Sequence, residues 1–214
     1  MTRSPGRRPR RKRAGQYHHG DLRRALIDQA LRTIDEEGVE GLTLRAVGDA
    51  LGVSRTALYR HFSDKQALVA AVASEGFRTL RLALVEAWER GGRSQAGFQS
   101  MGEAYLQFAA THPSHYRVMF GRFVESGVRD PDLIREADGA FQALVDALVA
   151  QQREGLARRD DPVSLARFVW SVVHGVAMLT IDGRLRGPAG EEGLPRRYVA
   201  QRIQSAVAPA EGAP

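Results

Sequence analysis

The sequence predicts an all-α protein in which a short N-terminal three-helix domain is joined by one long helix to a larger helical domain. Three observations predict this class. Apolar residues recur at helical spacing along most of the chain, while the alternating pattern of strands is negligible. Pro113, Pro131 and Pro162 each suit the first turn of a helix. An apolar share of 43% over 214 residues is enough to fill a core.

The composition excludes several classes of function. The chain has no cysteine, so disulfides, thiolate metal sites and cysteine nucleophiles are ruled out. The sequence shows no glycine-rich phosphate loop, serine-nucleophile elbow or zinc-hydrolase motif, so we expect no catalytic residue, cofactor or metal. No apolar run approaches the roughly 18 residues that cross a bilayer, and no apolar block follows the first basic residues. We therefore expect a cytoplasmic protein with no membrane partner.

Positive charge is concentrated at the N-terminus. The net charge is +6, and seven of the 31 basic residues lie within positions 1–13, which hold no acidic residue. Subtracting those seven leaves 24 basic against 25 acidic residues, so the rest of the chain is close to neutral. Residues 1–19 are expected to form a disordered basic arm that follows a phosphate backbone or enters a minor groove. A solubilising arm that does not touch DNA is the alternative.

Residues 20–65 are predicted to form a helix-turn-helix domain. A first helix over 20–38 carries an apolar face and is expected to brace two short helices that follow it. Thr43 and Ser54 are each placed to cap the start of one of these short helices. Gly52 suits the turn between them, where a left-handed conformation is least costly for glycine.

The two short helices are predicted to pack closely and to expose a polar edge. Gly48 stands inside the first of them, and a close approach of the second is the expected reason for a glycine there. Ser63 and Gln66 have the spacing of a capping box for the next helix. The side chains left exposed by the apolar pattern are donors that suit a major groove and its phosphates: Arg45, Arg55, Thr56, Tyr59, Arg60 and His61. The segment therefore predicts a reader of double-stranded DNA.

A long helix is predicted from Asp64 to near Gly91, because apolar residues continue at helical spacing without a flexible spacer. Such a helix can transmit a tilt. It belongs to a predicted C-terminal domain, residues 66–208, followed by a disordered tail, 209–214. The later helices are predicted at 96–111, 113–124, 131–154, 162–185 and 196–207, with caps at Asp130 and Asp161.

Two runs, LRRALIDQALRTIDEEG and GLTLRAVGDALGVSRTALYRHFSDKQALV, together resemble the N-terminal domain of the TetR family of transcriptional repressors. The resemblance covers about residues 20–70. It implies that the residues approaching bases are Arg45, Arg55, Thr56 and Tyr59. Those nearer the phosphates would be Thr43, Ala57, Arg60, His61 and Lys65, and Ser54, which opens the reading helix, completes the DNA-binding set. It also implies a homodimer on a palindromic operator and release by a small-molecule effector.

A second, looser resemblance covers part of the C-terminal half. FVWSVVHGVAML holds Trp170, His174 and Gly175 in the order of one subgroup of TetR-type C-terminal domains, and THPSHYRVMF resembles the start of the sixth helix there. The resemblance implies a half that binds the effector and dimerises. The predicted pocket residues are mostly large apolar or aromatic side chains: Trp88, Tyr105, Phe108, Met119, Phe120, Phe123, Trp170, His174 and Met178. An apolar or aromatic effector is expected, with a core histidine as the alternative for His174.

The helices at 131–154 and 162–185 form the longest apolar pair of the second half and are predicted to supply a dimer face. The residues that suggest it are Leu133, Phe141, Leu144, Leu148, Phe168, Trp170, Val173 and Ala177. His112 and His115 are spaced to share one helical face, but Pro113 lies between them and no third ligand is near, so no metal is expected there. The alternative to a regulator is an all-helical small-molecule-binding protein whose helix-turn-helix no longer reads DNA.

Overall fold

The computed structural model describes residues 19–121, 130–185 and 194–209, and every regular element within these ranges is a helix, as predicted. In chain order the helices are α1 (His19–Gly41), α2 (Leu44–Leu51), α3 (Arg55–Tyr59), α4 (Lys65–Arg90), α5 (Gln95–Thr111), α6 (Pro113–Met119), α7 (Pro131–Arg153), α8 (Pro162–Ile181) and α9 (Arg196–Val207). Most of the predicted basic arm, nearly all of the predicted tail and Phe123 lie outside the described residues.

The first three helices begin and end where the local chemistry predicts. Helical geometry in α1 breaks at Gly38, the predicted end of that helix. The Thr43 hydroxyl accepts a hydrogen bond from the backbone N–H of Ala46 at 3.1 Å, and the Ser54 hydroxyl accepts one from Ala57 at 3.2 Å. Both predicted caps are therefore confirmed, since each satisfies a backbone donor that the helix itself leaves unpaired.

The turn between α2 and α3 depends on two glycines. Gly52 has φ 65°, and the N–H of Val53 donates to the Gly48 carbonyl at 3.0 Å, so the chain reverses within one residue of the end of α2. A Cβ added to Gly48 would lie 2.9 Å from Cδ1 of Leu58 on α3. The predicted close approach of α2 and α3 is confirmed, and it fixes the orientation of α3.

The cap of α4 differs from the predicted capping box. Asp64, rather than Ser63, caps this helix, and its Oδ1 accepts the N–H of Ala67 at 2.8 Å. Ser63 instead donates its hydroxyl to Oδ2 of Asp64 at 3.0 Å. The backbone N–H of Ala67 is the main cause that lowers the pKa of Asp64. The predicted capping box between Ser63 and Gln66 was wrong. The Asp64 carboxylate is a stronger hydrogen-bond acceptor than the Ser63 hydroxyl for the backbone N–H groups at the start of α4.

The 26-residue helix α4 is the spine of the molecule, and the predicted continuous helix is confirmed. It contacts α1 at one end and α5, α6 and α7 along the rest of its length. Its buried side includes Leu68, Val72, Leu80 and Leu84, which belong to one core that runs from the N-terminal helices into the C-terminal domain. The two parts are thus joined by packed side chains.

Two helices, α6 and α8, end earlier in the chain than the sequence predicted. The helix predicted to reach 185 ends at Ile181, where the N–H of Arg184 donates to the Leu179 carbonyl at 2.8 Å. Gly183, with φ 69°, makes this closing turn possible. The helix predicted to reach 124 ends at Met119, because Phe120 leaves the helical conformation with φ −111° and ψ 11°.

Most residues that suggested a dimer face lie inside the chain. Leu133, Leu148, Val173 and Ala177 are buried, because α7 packs on α4 while α8 packs on α5 and α7. Phe141, Leu144 and Trp170 are partly buried against the same core. Phe168 is the exception, with 48% of its surface exposed. The outer face of α8 therefore differs from the face that the sequence suggested.

Helix α8 is unusually apolar for a helix with so much exposed surface. The expectation that no apolar run approaches bilayer length was wrong for this helix: by length and composition it is the one helix in the described ranges that could cross a membrane, with a mean hydropathy of 1.4 over 18 residues. Only 28% of that window is buried within the chain. This leaves an apolar face, which includes Phe168 and Leu179, without a packing partner among the described residues.

Candidate nucleic-acid interface and interior cavity

The outer edge of α3 projects away from the body of the protein. Tyr59 is 56% exposed, and Arg55, Thr56 and Arg60 are exposed beside it. Leu58 occupies the opposite side of the helix and is buried against the core. Because its hydrogen-bond donors are exposed and Leu58 anchors it to the core, α3 can enter a DNA groove without a change in the fold.

Two predicted DNA-binding residues lie on or before α2. Thr43 is exposed and also caps the helix. The Arg45 guanidinium is exposed and lies 3.5 Å from a carboxylate oxygen of Asp49, one turn further along α2. An exposed pair of this kind is worth little in water, so Arg45 can exchange Asp49 for another acceptor at small cost.

The remaining predicted phosphate contacts have mixed environments. His61 and Ala57 are partly buried, and the N–H of Ala57 already donates to Ser54. Lys65 donates its ammonium to the backbone carbonyl of Glu40 at 3.1 Å. This bond ties the start of α4 to the end of α1, so Lys65 has a structural role beside the phosphate contact predicted for it.

Charged contacts brace the three-helix unit against α4. The Arg23 guanidinium lies over the Phe62 ring, 5.5 Å from its centroid. Arg24 donates to Glu75 of α4 at 2.6 Å, and Arg78 donates twice to the same carboxylate. The hydrogen bonds from Arg78 are the largest cause that lowers the pKa of Glu75. The exposed edge of α3 is therefore presented by a unit that is fixed to the spine.

An interior cavity lies in the C-terminal domain, between α4, α5, α7, α8 and α9. Its open space is narrow, about 50 Å³. The large side chains around it are apolar or aromatic: Phe77, Leu80, Leu84, Phe98, Met101, Tyr105, Phe120, Phe141, Leu144, Val169, Trp170, Val173 and Ile203. Tyr105 and Trp170 bring the only polar side-chain atoms among the described residues of this lining.

Three of the nine predicted pocket residues, Tyr105, Phe120 and Trp170, line this cavity. The others that the structure describes lie elsewhere. Phe108 and Met119 are buried in the surrounding core, and Met178 is partly buried against it. Trp88 faces a separate groove, and His174 lies behind the lining. Whether any of these residues touches an effector stays a prediction.

A chain of four polar side chains runs behind the cavity wall. Trp170 donates its indole N–H to the Tyr105 hydroxyl at 3.1 Å. The Tyr105 and Tyr116 hydroxyls are 2.8 Å apart, and the Tyr116 hydroxyl lies 2.7 Å from Nδ1 of His174. Because an indole can only donate, every group is satisfied when Tyr105 donates to Tyr116 and Tyr116 donates to His174. The chain links α5, α6 and α8.

The protonation states required by this chain agree with the local environment. Burial raises the pKa of Tyr105 to about 12 and also raises the pKa of Tyr116. Burial lowers the pKa of His174. Both phenols therefore keep their protons near neutral pH, and the histidine keeps its acceptor nitrogen.

Tyr116 and Met101 were not predicted from the sequence as residues of the cavity or its wall. Tyr116 lies in the same THPSHYRVMF run as Met119 and Phe120, and a tyrosine within an apolar helical face implies a buried hydroxyl that needs a partner. Met101 lines the cavity from α5. Its helical register with Phe98 and Tyr105 could have placed it on the same face.

The paired histidines do not form a metal site with neighbouring residues. The His112 and His115 rings are 6.1 Å apart and tilted by 55°. Across the ranges that the structure describes, no group of three His, Cys, Asp or Glu side chains is placed to hold a metal ion. His115 instead packs near Gly76 of α4, and its buried Nε2 has no hydrogen-bond partner there.

Two family models match the chain, one over each part of this architecture. Residues 26–72 match the bacterial regulatory proteins of the tetR family. Residues 98–201 match the tetracyclin repressor-like C-terminal domain. The first match spans the exposed edge of α3, and the second holds most of the cavity lining.

Relatives of known sequence and structure agree with these matches. The HTH-type transcriptional regulator YobS of Bacillus subtilis is 25% identical over 166 residues, which cover 75% of this chain and 79% of YobS. The class C tetracycline repressor protein of Escherichia coli is 47% identical over 51 residues, 24% of this chain and 23% of that protein.

A solved structure from Rhodococcus sp. RHA1, of a protein with unknown function, has a TM-score of 0.77 and 30% identity. The superposition covers 90% of this chain and 98% of the Rhodococcus chain. The agreement thus extends over both domains. The chain belongs to the TetR family of transcriptional regulators, and it is a DNA-binding regulator rather than an enzyme.

Proposed function

We propose that this protein is a cytoplasmic, homodimeric repressor that binds a palindromic operator and leaves it when a small apolar or aromatic effector fills the cavity. The observation that carries the proposal is the exposed edge of α3, where Arg55, Thr56 and Tyr59 stand clear of the body on a helix anchored by Leu58. Arginine can bind the O6 and N7 acceptors of guanine with two hydrogen bonds, and tyrosine can pack on a base or sugar.

The apolar face of α8 supports the homodimer. Phe168, Gly175 and Leu179 recur at spacings of seven and four, so they share one side of the helix. Phe168 is 48% exposed and Leu179 42% exposed. A Cβ added to Gly175 would meet nothing within 4 Å, so packing within the chain does not demand a glycine there. A second copy that packs closely against this face explains both the exposed apolar side chains and the small residue.

A two-fold dimer presents two copies of α3 to one duplex. For a helix-turn-helix dimer the half-sites lie one helical turn apart, about 34–36 Å from centre to centre. The operator should then repeat its sequence in inverted order, because the two reading helices are related by the same symmetry axis. The predicted basic arm would add a salt-dependent contact outside this core site.

The composition of the cavity supports an apolar effector. Its walls offer large apolar surfaces and two polar atoms, the Tyr105 hydroxyl and the Trp170 indole nitrogen, which already bind each other. Since the open space is only about 50 Å³, a bound molecule has to push the walls apart. Binding is thereby coupled to movement of the surrounding helices.

The cavity wall offers a direct path to the DNA-reading unit. The Phe120 ring lines the cavity and packs edge-on against Phe77 of α4, with centroids 5.3 Å apart. One residue earlier, Met119 lies where a Cβ added to Gly76 would come within 2.6 Å of its sulfur. Because α6 also contacts α1, displacement of Phe120 shifts both α4 and the unit that carries α3.

Selection from a random duplex library with the full-length protein tests this function. The expected result is an enriched inverted repeat with half-sites one turn apart, bound by two copies of the chain. Light scattering of the purified complex measures that stoichiometry. A sample that dimerises but enriches no sequence would instead support the alternative of a helical ligand-binding protein whose helix-turn-helix no longer reads DNA.

A further inference from the structure

A second depression, the α4–α7 groove, lies on the outer side of the contact between these two helices. It measures about 650 Å³ and is open to solvent. Its lining contains four arginines, Arg81, Arg93, Arg135 and Arg153, and three carboxylates. The groove is therefore polar where the interior cavity is apolar, and it carries one more positive than negative side chain.

The carboxylates of the groove already have partners. Glu136 accepts from Arg81 at 2.9 Å and from Arg135 at 3.3 Å. Glu89 accepts from Arg93 at 2.7 Å, while Asp146 accepts from the amide of Gln142. Arg153, at the last turn of α7, is exposed and has no ion-pair partner among the described residues. The charge at the Arg153 end of the groove is thus positive, whereas Asp146, which binds only a neutral amide, keeps its negative charge two turns earlier on α7.

Met101 of α5 separates the groove from the cavity. It is the single side chain that lines both spaces in the described part of the chain, and it is 3% exposed. Methionine is unbranched and has three rotatable bonds, so it can swing aside at a smaller cost than leucine or phenylalanine. The apolar cavity and the polar groove also meet at α4, where Leu80 lines the cavity and the next residue, Arg81, lines the groove.

We propose that the effector is an amphiphile with an anionic head, which enters past Met101, places its apolar tail in the cavity and leaves its head in the α4–α7 groove near Arg153. The inference rests on the proposed function and narrows it, because it names the class of effector and the route by which that molecule arrives. A purely apolar molecule would use only half of this continuous surface. An anion is favoured over a cation near Arg153 because Glu89 and Glu136 are neutralised by arginines, Arg153 has no ion-pair partner among the described residues, and the unneutralised Asp146 lies two turns earlier on α7.

The two tryptophans of the chain provide a built-in probe for each space. Trp88 lines the groove and Trp170 lines the cavity, and the sequence contains no other tryptophan. Bromine quenches tryptophan fluorescence on contact. Octanoate brominated at carbon 2 carries the quencher beside its head, and octanoate brominated at carbon 8 carries it at the end of its tail.

The test is a saturation titration of two single-tryptophan variants with each brominated octanoate. In Trp88→Phe, which retains Trp170, the 8-bromo acid is expected to quench more strongly than the 2-bromo acid. In Trp170→Phe, which retains Trp88, the order is expected to reverse. The same order in both variants, or no saturable quenching of Trp170, would overturn the proposal. If Trp170→Phe does not fold, the order of quenching in Trp88→Phe alone decides the question.

The charge of the head is tested with Arg153→Gln against Arg90→Gln, a matched loss of one exposed arginine on α4 outside the groove lining. Arg153→Gln is expected to weaken octanoate binding about fivefold, the upper range for an exposed ion pair, and to leave octan-1-ol binding unchanged. Arg90→Gln is expected to change neither. Equal effects of the two variants, or tighter binding of octylammonium than of octanoate, would refute an anionic head.

These titrations contain no DNA, so their outcome tests the class of effector independently of DNA binding. A chain that reads an operator but shows no ordered quenching retains its role as a regulator and loses this class of effector. A chain that shows ordered quenching but binds no operator retains the amphiphile site and loses the regulatory role.

Discussion

The Tyr116 hydroxyl on α6 lies 2.7 Å from Nδ1 of His174 on α8. These residues are 58 positions apart in sequence, and their rings are stacked with centroids 5.6 Å apart. Through Tyr105 the same chain of hydrogen bonds reaches Trp170 in the cavity wall. Any molecule that moves Tyr105 or Trp170 therefore disturbs a bond that also holds α6.

Tyr116→Phe is expected to destabilise the fold by about 1–3 kcal/mol, because it leaves the buried Tyr105 O–H without its acceptor and Nδ1 of the partly buried His174 without its donor. The measurement is the midpoint of urea unfolding at constant m-value. Tyr198→Phe on α9, where the tyrosine is exposed, is the matched control and should change the unfolding free energy by less than about 0.5 kcal/mol. Equal effects would show that the buried chain adds no stability.

Gly175→Leu is expected to weaken the dimer while leaving the monomer folded, because the added side chain enters the space proposed for the second copy. Gly175→Ala should instead stabilise α8 by up to about 1 kcal/mol, the usual gain over glycine within a helix. Sedimentation velocity measures the dimer, and Ser205→Leu, at an exposed position of α9, is the control for added apolar bulk. A Gly175→Leu variant that remains fully dimeric would place the interface elsewhere.

The stability of the protein is expected to fall between pH 7 and pH 5, in part through His115. Burial, and then the neighbouring His112, lower the pKa of His115 in the folded state. Glu75 and Asp35 act in the opposite direction but do not reverse the shift, while Arg24 adds to it. A histidine with a depressed folded pKa contributes stability that is complete above its unfolded pKa, about 6.5, and is lost as the pH falls through its folded value.

His115→Gln should therefore lose less unfolding free energy than the wild type on going from pH 7 to pH 5. Urea unfolding at several pH values measures this difference. The difference in stability between the two proteins should become independent of pH above about pH 8, where neither histidine state carries a proton. If the unfolding free energies of the two proteins changed in parallel down to pH 5, the role given to His115 would be contradicted.

Arg55→Ala and Arg60→Ala are expected to affect DNA binding in different ways. Arg55→Ala should lose about 1–3 kcal/mol of discrimination at one base step. Arg60→Ala should weaken all sequences alike and lower the salt slope by about one. Arg60 is the better phosphate probe than Lys65, because Lys65 also holds the Glu40 carbonyl and its loss would disturb α1. Binding isotherms on operator and mutated operators, at three salt concentrations, separate the two effects.

The helix-turn-helix could be predicted from the sequence because its determinants are local. Thr43, Ser54 and Gly52 act within four residues of themselves, and the apolar spacing that exposes Arg55 and Tyr59 repeats within two turns. The same local rules, applied more strictly, would have placed the end of α8, since Gly183 is a standard stop signal.

The cavity could be predicted only in part, because its walls come from five helices whose registers depend on tertiary packing. Phe108 and Trp170 look equally suitable in sequence, yet one is buried in the core and the other faces the open space. The partners of Tyr116 are distant residues on α5 and α8. Periodicity indicates which face is apolar, but it does not indicate which apolar side chains leave room for a ligand.

Competition binding tests most directly whether α3 reads DNA sequence. A labelled duplex carrying the selected inverted repeat is titrated with full-length protein in the presence of unlabelled duplex of either the same or random sequence. We expect the protein to prefer the repeat by at least about a thousandfold, and Arg55→Ala to reduce this preference. Equal competition by random duplex, with a correctly folded dimer, would contradict this expectation.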